Sequence, residues 1–337
     1  MPEVNYRYLP PMANDPNQNC HKEMPREIYP LTSDRLQDKG KGWISLFRPP
    51  NLFTIPGDPL VGALLAAMAL NRTLAWNPVY VVIGAALAFY ASGLLANDFF
   101  DRSVDARERP SRPIPSGAAS PAAVRLVAIG LTAIGLILTL PAGRTALTAG
   151  ILLALAVWFY NAAGKRIAWL SPFAMGICRG LSLLLGASVM GLQGIMAPSV
   201  LVAALFLTLF IALITLIARH EANPDDSRIP NWSRWGIPVI LTVWLTVTLA
   251  PRWTHLTPLT IILTAMSLLW AIVWTAQLNP NAKPRVIQAS VAGLIRGLLF
   301  TQAAICASCG GTGEGAALLL VFFFPVSGWL GKWFYGS

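Results

Sequence analysis

The chain has 337 residues, 55% of them hydrophobic and 12% charged, with a mean hydropathy of +0.57 and a net charge of +10. A soluble domain carries about 25% charged residues, so this composition excludes a water-soluble globule and points to an integral membrane protein. The positive charge gathers at the N-terminal end and in alternate loops instead of along one basic face, which argues against a nucleic-acid partner.

In chain order, residues 1–41 are polar and rich in Pro, and are expected to form a mobile cytosolic tail without a cleavable signal peptide. Residues 42–52 read as an interfacial segment anchored by Trp43 and Phe47. The remainder, 53–335, reads as one transmembrane domain. Its apolar stretches lie near 53–71, 78–97, 121–140, 145–162, 172–192, 199–218, 236–251, 257–278, 286–305 and 315–331. Most reach the 17–25 residues needed to cross a hydrocarbon core of about 30 Å. The seventh is short and the ninth carries Arg296, so the count is nine or ten helices. The expected fold is therefore all-α, a polytopic bundle around a polar chamber open to the cytoplasmic side.

Charge sets the expected orientation. With the tail inside, the inner loops hold Arg102, Arg107, Arg109, Arg112, Lys165, Arg166, Arg219, Arg228, Arg234, Lys283 and Arg285, whereas the outer loops hold Arg72, Arg144 and Arg252. That bias places the N-terminus and the even-numbered loops in the cytoplasm, as expected for a multi-pass protein of the inner membrane.

Beyond residue 50 there are nine acidic residues, and seven form two clusters on this same inner side: Asp98, Asp101, Asp105 and Glu108, then Glu221, Asp225 and Asp226. Carboxylates are costly near a bilayer, by about 2.5–3.5 kcal/mol each at a helix centre, so their grouping signals function. Asn97, Asp101 and Asp105 are spaced by four and Asp98 lies three before Asp101, which puts them on one face of a continuing helix. Like charges in a row repel unless cations bridge them. Hard oxygen ligands suit Mg²⁺, which combines one or two carboxylates with substrate phosphates, so a metal-bridged diphosphate is the natural occupant.

The run continues Arg107-Glu108-Arg109-Pro110-Ser111-Arg112-Pro113-Ile114-Pro115-Ser116-Gly117. From Asn97 to Gly117 the chain resembles the signature loop of the UbiA superfamily of intramembrane prenyltransferases, and weaker likeness extends over residues 46–335. That resemblance implies that Asn97, Asp98, Asp101 and Asp105 are ligands of Mg²⁺ and diphosphate, with Arg109 and Arg112 beside them. It implies that Tyr160 and Lys165 line the active cavity; for Arg166 a phosphate contact and simple flanking charge both stand. Physically, Pro113 and Pro115 stiffen the loop that carries Arg112, and Ser120 is a candidate N-cap for the third helix.

In the family the second acidic box binds a further metal. Here Arg219-His220-Glu221 stands where its first Asp is expected, followed by Asp225, so Glu221 and Asp225 are the candidate ligands and Arg219 a candidate substrate contact. This departure, with Arg48-Pro49-Pro50-Asn51 and the run around Arg179, resembles an EboC-like bacterial branch. Arg179 lies within the fifth apolar stretch and needs either a polar cavity or a carboxylate; the acidic boxes are the evident partners, with a structural salt bridge as the other reading. Asp58 either orients substrate or Lys165, or serves as a helix-start carboxylate. Cys306 and Cys309 form either a local disulfide or unpaired apolar packing.

The leading functional expectation is Mg²⁺-dependent transfer of a prenyl group from a polyprenyl diphosphate to a small aromatic or hydroxyl-bearing acceptor within the membrane lipid. A second reading is a phosphoribosyl-type transfer onto a lipid phosphate. A third is a non-catalytic membrane carrier with the same fold.

Overall fold

The computed structural model describes residues 40, 42–222 and 232–334. The described part is helical and contains ten helices long and apolar enough to cross a membrane, so the chain is a multi-pass integral membrane protein. They are α1 (Pro49–Ala69), α2 (Trp76–Glu108), α3 (Pro121–Ala142), α4 (Arg144–Ala162), α5 (Ser171–Ile195), α6 (Pro198–His220), α7 (Arg234–Thr254), α8 (Pro258–Ala276), α9 (Pro284–Ala307) and α10 (Thr312–Lys332). Both doubtful segments are present, the seventh over 21 residues and the ninth over 24. The tail lies outside the described residues apart from Gly40.

Local chemistry accounts for the helix starts. Pro occupies the first position of α1, α3, α6, α8 and α9, where its missing N–H would be unsatisfied in any case. The Ser120 hydroxyl accepts from the Ala123 amide at 3.2 Å, and Thr257 Oγ1 from the Thr260 amide at 3.3 Å, which caps α3 and α8.

α1, α5, α6 and α9 pack on one another at the centre, with α2, α3 and α4 on one flank and α7, α8 and α10 on the other. α1 and α9 are the most buried spans and α3 the least. The backbones of α1 and α5 nearly touch, because a Cβ at Gly62 would meet the Leu183 carbonyl and one at Gly186 would meet Pro59. Small residues permit such close crossings where helix contact depends on packing in lipid.

Two departures from regularity position the site. α1 is broken by turns at 53–56, which releases the Thr54 carbonyl for side-chain donors. α2 continues for 33 residues, about 50 Å of helix, and so carries the first acidic cluster on its projecting end. Ahead of α1, residues 42–46 are helical, and Trp43, Leu46 and Phe47 pack against Leu95, Ile114, Ala119 and Val124. Residues 43–47 thereby brace the loop between α2 and α3.

Candidate active site

The projecting end of α2 presents Asn97, Asp98, Asp101 and Asp105 on adjoining turns, as a continuing helix requires. Each carboxylate meets a cation from another element. Arg48, just before α1, places Nη2 3.0 Å from Asp98 Oδ1. Arg112, in the loop after α2, spans two carboxylates, with Nη1 2.9 Å from Asp105 Oδ2 and 3.4 Å from Asp98 Oδ1. Lys165, on a single 3₁₀ turn between α4 and α5, sets Nζ 2.6 Å from Asp101 Oδ1 and 3.1 Å from Asn97 Oδ1. Asp98 and Asp105 are only 6% exposed, so their pairs lie where charge is poorly screened, whereas the Asp101 side chain is 31% exposed. Burial holds the Lys165 ammonium below the ordinary lysine range, and the Asp101 carboxylate partly opposes that shift.

Arg48 adopts φ 45° and ψ 61°, the left-handed region that a non-glycine residue rarely enters. Pro49 follows immediately and fixes the start of α1. The strained backbone thus directs the guanidinium across to α2. Sequence reasoning used Arg48 only as a branch marker. Its position in a charged, proline-flanked run at the membrane edge was the available signal, but its partner is 50 residues away.

Beneath this cluster lies a cavity of about 230 Å³ among α1, α2, α4, α5 and α9. Arg48, Asn51, Asn97 and Tyr160 line its polar end, and Ile55, Phe89, Leu153 and Val157 its apolar depth. Tyr160 therefore joins the cavity and not the carboxylate row.

Several expected residues stand elsewhere. Arg179 borders the cavity, but its partner is Asp58 and not an acidic box: Nε is 2.7 Å from Oδ2, and Nη2 donates to Oδ1 at 3.1 Å. Thr54 O accepts from Arg179 at 3.2 Å, and Gln302 Nε2 donates to Asp58 Oδ1 at 2.7 Å. Burial of both charges inside the helix bundle forces this pairing, and Asp58 is accordingly neither at Lys165 nor a simple helix-start charge. Arg109 is exposed and forms no ion pair among the described residues, since the helix ends there with its amide donating to the Asp105 carbonyl. Arg219 donates to the Ala168 carbonyl and so ties α6 to the loop that bears Lys165. Arg166 is exposed, and His220 bonds the Leu216 carbonyl within its own helix. Cys306 and Cys309 are free. The side chain of Glu221, together with Asp225 and Asp226, lies outside the described residues.

The donor chemistry suits Mg²⁺. Asp98, Asp101 and Asp105 each give one oxygen to a cation, and their second oxygens are unpaired among the described residues. No three His, Cys, Asp or Glu residues converge on one metal position among the described residues, so any ion held by these carboxylates would need further ligands.

Comparison with known proteins agrees with this architecture. The family model described as the UbiA prenyltransferase family matches residues 59–230, half of the chain. Digeranylgeranylglyceryl phosphate synthase from Methanopyrus kandleri is 32% identical over 149 residues, 44% of this chain and 53% of that protein. The synthase of the same name from Methanothrix thermoacetophila is 32% identical over 183 residues, 54% of this chain and 64% of that protein. The chain thus spans between half and two thirds of these curated relatives. Among solved structures, a UbiA homologue from Aeropyrum pernix K1 superposes with a TM-score of 0.61 at 18% identity, covering 76% of this chain and 97% of that one. A UbiA homologue from Archaeoglobus fulgidus bound to DMAPP and Mg²⁺ gives 0.53 at 14% identity, covering 78% of this chain and 98% of that one. The signature on α2, the bundle of apolar helices and the matched family model have one common reading: this chain belongs to the UbiA prenyltransferase family.

Proposed function

We propose that the chain is an intramembrane prenyltransferase that moves the prenyl group of a prenyl diphosphate onto a lipid-phosphate acceptor. The observation that carries this reading is the row of α2 carboxylates, each matched to a cation, at the mouth of an apolar cavity. The prenyl donor is the one expected from the sequence. For the acceptor, the relatives' names favour the lipid phosphate of the second reading over a small aromatic molecule. The altered second box supports an EboC-like branch, and the loop charges support a site facing the cytoplasm.

Asp98, Asp101 and Asp105, with Asn97, would hold Mg²⁺ together with the diphosphate, and Glu221 and Asp225 are the candidates for a second ion. When bound there, the ion would supply positive charge against the diphosphate leaving group. Lys165 and Arg112 turn from their carboxylates toward the diphosphate oxygens and stabilise the charge that develops there. The allylic C–O bond breaks, and its electron pair leaves with the diphosphate. The cavity walls keep water from the allylic cation, and the Tyr160 ring offers it a π face. A hydroxyl of the acceptor forms the new bond to carbon, and an α2 carboxylate takes the released proton.

The test uses purified protein in lipid nanodiscs with Mg²⁺, labelled prenyl diphosphates, and either a glycerol-phosphate lipid or an aromatic acceptor. The expected result is diphosphate release that depends on the lipid acceptor and is lost in Asp98→Asn and Asp101→Asn. Release that persists in both variants overturns the reading.

A further inference from the structure

A pair of cations stands on the α2–α3 flank, outside the cavity. Arg102, on the projecting end of α2, and Arg125, one turn into α3, belong to helices packed on each other and converge on one ring. The Arg102 guanidinium lies 4.5 Å from the Phe99 ring centroid and that of Arg125 5.7 Å, both within reach of a cation–π contact. The two guanidinium carbons are therefore no farther apart than those two distances combined. Arg102 Nη1 also donates to the Phe99 carbonyl at 2.8 Å, which holds that side chain in place. The ring packs on the buried cluster of Leu46, Leu95, Val124 and Ala128, so the platform is supported from behind.

Neither charge is answered by a carboxylate. The α2 aspartates are taken by Arg48, Arg112 and Lys165, and among the described residues no Asp or Glu pairs with Arg102 or Arg125. Like charges this close repel unless an anion bridges them.

Position identifies the anion. α3 is the least buried span, and next to Arg125 the side chains of Leu126 and Ile129 are 70% and 49% exposed, so Arg125 stands on a lipid-facing stripe. One turn from the helix end, a long side chain carries its charge to the headgroup layer. Arg102 is exposed at the same level, because both side chains reach Phe99. The neighbours at that depth are phospholipids, and planar guanidinium forks match phosphate oxygens. We propose that Arg102 and Arg125 form a docking site for the phosphate of a membrane phospholipid, favouring the doubly charged monoester of a phosphatidate over the diester of a zwitterionic lipid. The acyl chains then lie along Leu126 and Ile129. The site is independent of the prenyl-transfer reading, since none of Phe99, Arg102 and Arg125 lines the cavity.

The experiment uses intact protein in neutral detergent and measures dissociation constants of short-chain phosphatidate and phosphatidylcholine by native mass spectrometry. An arginine beside an anionic lipid is worth about fivefold in affinity, so wild type should prefer phosphatidate by at least about tenfold. Arg102→Gln and Arg125→Gln should each cut that preference about threefold to fivefold, and the double variant should bring it below about threefold. Arg102→Lys/Arg125→Lys, which keeps both charges, should retain most of it. Arg107→Gln removes an exposed arginine from the same helix end but not from the ring, and should change it less than about twofold. Thermal melting checks that the variants are folded, and inorganic phosphate should not displace the lipid. Equal affinity of wild type for the two lipids, an unchanged preference in the folded double glutamine variant, or a loss in Arg107→Gln as large as in Arg102→Gln overturns the inference. So does displacement by inorganic phosphate, which marks a free-anion site. None of these results touches the prenyl donor, which the diphosphate-release assay tests separately.

Discussion

Replacing Arg179 by Met tests the energetics of the buried polar centre. The guanidinium and the carboxylate it meets have side-chain exposures of 9% and 0%. In wild type Asp58 has two partners, Arg179 and Gln302, and Arg179 also reaches the Thr54 carbonyl. After Arg179→Met the carboxylate keeps only the Gln302 amide. Removing one partner of a buried pair costs about 3–5 kcal/mol, because the other charge stays buried without compensation. The remaining hydrogen bond puts the expected loss near the lower end, about 3 kcal/mol. Removing both charges in Asp58→Leu/Arg179→Met relieves the cost, so the double variant should be more stable than Arg179→Met alone. The resulting coupling should exceed about 2 kcal/mol, which is large for two residues in contact. The assay is detergent-induced unfolding in mixed micelles, followed by tryptophan fluorescence, for wild type, both single variants and the double. An Arg179→Met variant within about 0.5 kcal/mol of wild type, well inside the range of neutral surface changes, refutes this account of the pair. So does a double variant less stable than either single.

Other predictions concern the mouth and the helix crossing. Burial lowers the Lys165 pKa, so the ammonium beside Asp101 is lost as pH rises at a lower pH than for an exposed lysine. The alkaline limb of kcat/KM should therefore lie below the ordinary lysine value of about 10.4, and Lys165→Arg should move it upward. The stability term has its own sign: between the lowered folded pKa and the unfolded one, the unfolded chain holds more protons, so stability rises with pH across that window. Arg112→Ala should weaken prenyl diphosphate binding at least tenfold, about 1.4 kcal/mol, whereas Arg109→Ala, at an exposed side chain, should change it less than twofold by calorimetry. Gly186→Val drives a branched side chain into Pro59 of α1, and should abolish recovery of folded protein on size-exclusion chromatography.

The spans were legible because twenty apolar residues in sequence can do little but cross a membrane, and backbone hydrogen bonding then makes them helices. The continuation of α2 through Asp105 was legible for a similar reason, since the spacing of its carboxylates is already a helical period. What the sequence hid were contacts between distant segments. Arg179 lies 121 residues from Asp58, and no local pattern favours that carboxylate over those at the acidic boxes. Gln302, 244 residues from Asp58, gave no signal at all, because a lone amide in an apolar helix looks like any tolerated polar residue. Arg109 and Arg112 looked equivalent in the loop motif. They diverge because Arg109 sits at the helix end facing water, and the turn that follows brings Arg112 back over the carboxylates.

The crossing at Gly62 and Gly186 bears on where the bundle can open sideways. Where two backbones rest directly on each other there is no side chain to swing aside, so that seam cannot act as a doorway. α1 and α5 must travel as a single stave of the barrel, with Arg48 and Arg179 at fixed stations along it. Any sideways opening must instead lie between helices that meet through side chains, and the least buried spans are α3, α8 and α10.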